Sequence, residues 1–209
     1  IAGLYTETCQ LVVRADSNIQ TLDDLSGHTV SIGAEESGTE RNATQILEFA
    51  GMPSSLVATK NLDYIEATKE LKAGDIDAFF CTAGLTTTVI DELSKECDIR
   101  LIPLTDTVIS KMLESSSAYT SEVIPAGTYT GQDTAISTIG VKSVLIKKSD
   151  VSDDTIEQLT SLLFEKENEL SYSNSLKLEL TYDFATDGIP IPFHNGAKRY
   201  YEDCGYSIN

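Results

Sequence analysis

Basic residues are scarce in this chain: 15 Lys and Arg stand against 33 Asp and Glu, a formal net charge of −18 at pH 7 and a sequence pI of about 4.3. Nucleic acid and anionic membranes both require a basic face, so neither is an expected partner. Histidine is rarer still, with only His28 and His194, far apart in sequence. The four cysteines, Cys9, Cys81, Cys97 and Cys204, are isolated, and none lies in a CxxC or other metal-ligand spacing. No metal and no cofactor are therefore expected. A thiol nucleophile paired with His194 would need a local signature, and none accompanies Cys81. No apolar run approaches the length of a membrane span. There is no internal repeat and no low-complexity linker. The chain opens Ile1-Ala-Gly-Leu-Tyr5 with neither a methionine nor a basic segment, so no signal peptide is visible, and an upstream piece is expected to have been removed.

What is present is ordinary for a globular protein: 41% apolar and 23% charged residues. A chain of 209 residues can form one domain or two modest lobes. Strand and helix patterns alternate along it. Residues 10–14, 28–33, 76–81 and 99–102 read as strands, and 138–147 as a longer β-rich run. Thr21–Leu25 reads as a helical turn. Residues 39–50 have Ala43, Ile46, Leu47 and Ala50 at i, i+3, i+4 and i+7, the spacing of an amphipathic helix. Ser37 with Glu40, and Asp63 with Glu66, have capping-box spacing; Gly51 and Gly74 are helix stops. Residues 85–97 read as a helix with Leu85, Val89, Leu93 and Cys97 in one stripe. Val108, Ile109, Met112 and Leu113 mark another helix. Residues 124–129 break the pattern with Pro and Gly. A further helix follows, capped by Asp153 or Asp154, with Ile156, Leu159, Leu162 and Leu163 as its core stripe. Strands separated by helices imply βαβ units and an α/β fold with mostly parallel sheets flanked by helices.

The segment Ser31-Ile-Gly-Ala-Glu-Glu-Ser-Gly-Thr-Glu-Arg-Asn42 carries the strongest functional signal. A strand ends in a small-residue loop that opens directly into a helix. Free backbone N–H groups and the positive end of the helix dipole then converge on one spot suited to a carboxylate. The candidate ligand-binding residues there are Ser37, Gly38 and Thr39, with Ser37 serving equally well as a plain N-cap. A second loop, Thr82-Ala83-Gly84, follows another strand. Ligands of parallel α/β sheets lie beyond the carboxyl ends of strands, which makes both loops candidates; Thr82 reads as well as a helix cap. Tyr5, Tyr129, Tyr200 and Tyr201 read more readily as packing than as ligand shelves. His194 reads as a turn residue. The sequon Asn42-Ala-Thr44 falls inside a helix and carries no functional reading. Glu35, Glu36 and Glu40 lie near the first loop without a His, Cys or Lys to make a catalytic pair. No catalytic residue is expected, and the chain reads as a protein that holds a small anion without transforming it.

Several strings run in a recognisable order: Leu4-Tyr-Thr-Glu7, Val30-Ser-Ile-Gly33, Ser37-Gly-Thr-Glu40, Ile76-Asp-Ala-Phe-Phe80, Ile124-Pro-Ala-Gly-Thr-Tyr-Thr-Gly-Gln-Asp133 and Ile189-Pro-Ile-Pro-Phe-His-Asn-Gly-Ala-Lys-Arg-Tyr-Tyr201. Together they resemble the TAXI family of TRAP-transporter solute receptors along essentially the whole chain. The resemblance implies a two-lobed type II periplasmic-binding-protein fold with the ligand between the lobes. It also implies an extracytoplasmic receptor that delivers a small carboxylate, an acidic amino acid or a dicarboxylate, to the membrane subunit of a TRAP transporter. A ligand-sensing effector domain of a regulator or sensor with the same fold is the alternative. In that family a first half-lobe precedes the segment like Leu4–Glu7, and this sequence lacks it. The expected organisation is a hinge segment and start of the lobe crossing (1–17), a complete α/β lobe (18–131), and a return crossing with the C-terminal part of the other lobe (132–209).

Overall fold

The computed structural model describes residues 1–148, 150–174 and 178–208, with the backbone alone for 171–174. The chain divides into two compact units: a central unit, Glu7–Val141, and a terminal unit made of Ile1–Thr6 and Lys142–Asn209. Strands β1 (Ala2–Arg14) and β7 (Ile136–Leu145) each contribute residues to both.

The central unit is an α/β layer structure. Its elements in chain order are β2 (Thr29–Ser31), α1 (Gly38–Phe49), β3 (Ala58–Lys60), α2 (Tyr64–Ala73), β4 (Ala78–Ala83), α3 (Thr88–Glu96), β5 (Ile99–Leu101), α4 (Asp106–Ser115) and β6 (Tyr119–Ile124). The sheet order is β3-β2-β4-β1-β7-β6, with β5 pairing β1. Strand β2 is parallel to β3 and to β4, as strand–helix–strand units require. Strand β1 is antiparallel to β4 and to β5, and β6 is antiparallel to β7. The α/β expectation holds, and the sheet is mixed where mostly parallel pairing was expected. Long strand β1 enters the sheet before any helix crossover and so has no βαβ constraint on its direction.

Alternation along the strands divides the core between two faces. Cys9, Leu11 and Val13 of β1, with Ala78 and Phe80 of β4, pack with Ala43, Ile46 and Leu47 of α1 and Val108, Ile109 and Met112 of α4. Val12, Phe79 and Cys81 face the other way, onto Ala67 and Leu71 of α2 and Ile90 and Leu93 of α3. The apolar stripe read on α1 is thus the core face of that helix.

The terminal unit contains α5 (Asp153–Glu165), α6 (Glu167–Asn174), α7 (Tyr182–Thr186) and α8 (Asn195–Asp203). Its core gathers Ile1, Ala2, Ile156, Ala185, Phe193, Ala197 and Tyr201. Phe164 lies among Tyr182, Tyr200 and Tyr201, with ring centroids 4.8–5.7 Å away. Lys142 donates to the carbonyls of Phe184 and Asp187 at 2.7 Å each, closing the C-terminal end of α7. Burial holds its ammonium below the usual lysine range.

Three local readings differ. Helix α3 begins at Thr88, because the Thr87 hydroxyl donates to the Gly84 carbonyl and keeps 84–87 in a turn; Leu85 is left exposed. The cap of α5 is Ser152, whose hydroxyl accepts from Thr155 N at 3.2 Å; Asp153 and Asp154 become first-turn residues that complement the dipole. On α5, Ile156 and Thr160 are buried whereas Leu159 and Leu162 are exposed, so the core stripe is narrower than its leucines imply. Strands β3 and β6 carried no clear apolar alternation and went unread. His194 is the N-cap of α8, its Nδ1 accepting from Gly196 N at 3.2 Å.

Candidate functional site

Strands β2 and β4 are parallel neighbours, so their carboxyl ends lie side by side. The loop after β2 and the end of β4 therefore meet, although about forty residues of chain separate them (Asn42 to Thr82 is a separation of 40). A cavity of about 820 Å³ opens at this place in the central unit. Ser37, Gly38, Thr39, Thr82 and Ala83 all line it. Gly84 does not; it turns away into the tie with Thr87. Nor do Tyr5, Tyr129, Tyr200 and Tyr201. Tyr129 is buried, donating to Gln10 Oε1 at 2.6 Å and accepting from Thr87 N at 3.2 Å, which fixes the turn beyond β4.

The loop into α1 is held in one shape. Gly33 has φ +97°, and a Cβ there would strike the Thr39 side chain, so glycine is required twice over. Glu36 occupies the left-handed region at φ 60°. Its N–H donates to Glu40 Oε2 at 2.6 Å, while Asn61 Nδ2 donates to Glu40 Oε1 at 2.7 Å and to the Gly33 carbonyl at 3.1 Å. The Ser37 hydroxyl accepts from Glu40 N at 3.1 Å. Ser37 thus caps the helix, and Glu40 reaches back one residue further than a capping box would. The N–H groups of Gly38 and Thr39, in the first turn, have no intrahelical acceptor and lie at the cavity wall.

Tyr64 ties the two loops together. Its hydroxyl donates to the Thr82 carbonyl at 2.9 Å and accepts from Thr82 N at 3.3 Å; it lies 2.6 Å from Thr39 Oγ1. With the phenol proton on Thr82, the Thr39 hydroxyl must be the donor in that last bond. Thr39 is buried, and what it offers the cavity as a donor is its backbone N–H. Burial pushes the Tyr64 phenol up to about 12, so it stays protonated.

Arg41, Asn42 and Gln45, which sequence reading did not offer as ligand contacts, complete the wall alongside Gly38, which it did. Gly38, Arg41, Asn42 and Gln45 follow one another at i, i+3, i+4 and i+7 on α1, a polar stripe beside the apolar one, and all four line the cavity. That spacing was the available signal. Arg41 is exposed and makes no ion pair among the described residues. Tyr119 of β6 stands across from this stripe, its hydroxyl 3.0 Å from Asn42 Oδ1 and 2.9 Å from Gln45 Oε1. Burial raises its pKa, and the nearby Arg41 charge opposes that rise. Glu7 of β1 is the carboxylate on the wall. No three His, Cys, Asp or Glu gather closely enough to hold a metal ion among the described residues. Cys9 and Cys81 are buried, and burial pushes both thiols up to about 12. No described helix is long and apolar enough to cross a membrane.

Residues 1–205 match the model of the NMT1-like family. Among solved structures, the chain is similar to the periplasmic aliphatic sulphonate binding protein SsuA from Escherichia coli, with TM-score 0.48 and 14% identity over 84% of this chain and 52% of that one. It is also similar to a mutant of ArgBP from T. maritima, with TM-score 0.44 and 18% identity over 82% of this chain and 58% of that one. A third similar structure comes from work on glutathione import via GshT and the cystine ABC importer TcyBC of Streptococcus mutans, with TM-score 0.48 and 14% identity over 85% and 61%. The chain thus spans about half to three fifths of the length of these structures.

Proposed function

Since the chain belongs to the NMT1-like family, we propose that it is a solute-binding receptor that holds a small organic anion and releases it unchanged. The observation that carries this reading is the α1 end of the central cavity. Two backbone N–H groups with no intrahelical acceptor, the positive end of a helix dipole and Arg41, which makes no ion pair among the described residues, line a volume large enough for a small metabolite. The net charge of −18 does not oppose such binding, because screening confines a distant charge to about 8–10 Å at physiological salt, whereas the helix end acts at contact. The candidate contacts are Ser37, Gly38, Thr39, Thr82 and Ala83, joined by Arg41; Gly84, which lies off the cavity wall, is not among them.

The finer assignment rests on the sequence strings 124–133 and 189–201, which resemble TAXI receptors. On that basis the ligand is an acidic amino acid or dicarboxylate, the partner is the membrane subunit of a TRAP-type transporter, and the location is extracytoplasmic. The central unit is then one lobe of a binding protein, and the terminal unit belongs to the other.

Titration calorimetry with a panel of dicarboxylates and acidic amino acids tests the reading. At least one should bind, and mass spectrometry should return it unchanged. Arg41→Met should lower its affinity about tenfold or more, since a charge-assisted hydrogen bond contributes about 1.5–3 kcal/mol. Binding that ignores Arg41→Met would remove the anion from this end of the cavity, and steady product formation would replace the receptor with an enzyme.

A further inference from the structure

With the amides oriented as they are, the proton count at the far end of the α1 stripe does not balance among the described residues. Ser115 Oγ donates to the Met112 carbonyl at 2.7 Å, so its oxygen is left to accept. Gln45 accordingly presents Nε2 to Ser115 Oγ, at 3.3 Å, and turns Oε1 toward Tyr119. On the adjacent turn, Asn42 presents Nδ2 to Thr82 Oγ1, at 3.4 Å, and Oδ1 toward the same phenol. Two amide oxygens therefore approach Tyr119 Oη at 3.0 and 2.9 Å, and a phenol has one proton. Asn42 is buried and Gln45 is half-buried. An unsatisfied acceptor costs more the deeper it lies, so the Tyr119 proton goes to Asn42 Oδ1. Gln45 Oε1 is left as an acceptor at the cavity wall, held in orientation by Ser115.

We infer that Gln45, oriented by Ser115 while the Tyr119 proton is committed to Asn42, makes this site selective for ligands that carry a hydrogen-bond donor, a hydroxyl or an ammonium, about one helical turn away from the carboxylate bound at Arg41. The inference rests on the solute-binding reading above and adds a specificity determinant to it. Arg41 and Gln45 are four residues apart on α1, a rise of about 6 Å along the axis. A five-carbon diacid with a donor beside one carboxylate spans that distance between its far carboxylate and the donor. A ligand without the donor must strip water from Gln45 Oε1 and give nothing back, the situation in which a polar site discriminates most strongly.

Glutarate, 2-hydroxyglutarate and glutamate share a carbon skeleton and differ in the group at one carbon, so calorimetry with these three probes reads the effect directly. The two donor-bearing probes should bind the wild-type chain about tenfold or more tighter than glutarate. Gln45→Met, on a helix surface where it preserves length and packing, should bring the three to within about twofold of one another. Gln45→Glu, which keeps an acceptor in place, should preserve the ranking. The inference is overturned if wild type binds glutarate as tightly as the other two, or if Gln45→Met keeps the ranking. Absence of heat from all three probes would be a different failure: it would count against the solute-binding reading itself and take this inference with it.

Discussion

Ser31 lies in β2, wholly buried, with no hydrogen-bond partner for its hydroxyl among the described residues. The contrast with the site is instructive. Thr39, Tyr64 and Thr82 are also removed from water in whole or in part, yet each hydroxyl there has a partner and the group serves to fix two loops. Ser31 has no such work, and an unpaired buried hydroxyl costs about 1–3 kcal/mol. Ser31→Ala removes the hydroxyl and leaves a void of only one oxygen. The substitution should be neutral or stabilising, raising Tm by about 2–4 °C for each kcal/mol recovered in a chain of this size. A clear fall in Tm would mean that the hydroxyl has a partner, such as a buried water.

At the level of elements, both units depend on helix starts that are sharply defined. In the central unit, Glu40 and Asn61 pin the loop whose strained Glu36 delivers the chain into α1. In the terminal unit, α8 packs so closely on α5 that a Cβ on Gly196 would collide with the carbonyl of Asp153. The same place is tied by ion pairs from Arg199 to Asp153, Asp154 and Glu157. These pairs are at least partly exposed and contribute little each; the close approach of the backbones matters more. Gly196→Ala should force the two helices apart and destabilise by about 1–3 kcal/mol. Near-UV circular dichroism would register this through Tyr182, Tyr200 and Tyr201, which pack against Phe164 of α5. An unchanged melting curve would show that α8 can shift without cost.

For the whole molecule, the dominant electrostatic fact is an excess of acid: 33 carboxylates against 15 Lys and Arg. Self-repulsion on this scale keeps the chain soluble and works against compaction, so added salt should raise stability. A second pH dependence comes from the core. Burial pushes the Cys9 and Cys81 thiols from an ordinary value of 9.0 up to about 12. Between these values the unfolded chain releases protons that the fold retains, and release favours the unfolded chain. The stability contributed by each thiol is complete below pH 9 and declines as pH rises toward 12. Urea midpoints from pH 8 to 11 should therefore fall more steeply for wild type than for the Cys9→Ala/Cys81→Ala double variant. Comparing slopes separates this effect from the cavities that the alanines leave. Equal slopes would mean that the thiols ionise in the fold.

The sequence by itself determined what depends on residues within about four positions of one another. The caps Ser37 and Asp63, the stop at Gly74 and the apolar stripe of α1 all follow from local hydrogen bonds and the helical period, and the structure has each of them. The small-residue loop before α1 was legible for the same reason. Only the tertiary structure decided what faces that loop. Thr82 reaches it because β2 and β4 pair in parallel across an intervening helix–strand–helix segment. Tyr119 reaches Asn42 from 77 residues away, on an edge strand whose mixed polarity gave no alternation to read. The antiparallel course of β1 likewise has no local cause. Strand neighbours are chosen by the burial of whole faces, a sum over the entire chain, whereas a cap or a turn is satisfied by its own few residues. For that reason the α1 end of the cavity, where we propose the anion sits, was readable in one segment of sequence, and the end proposed to read a donor, built from three separate elements, was not.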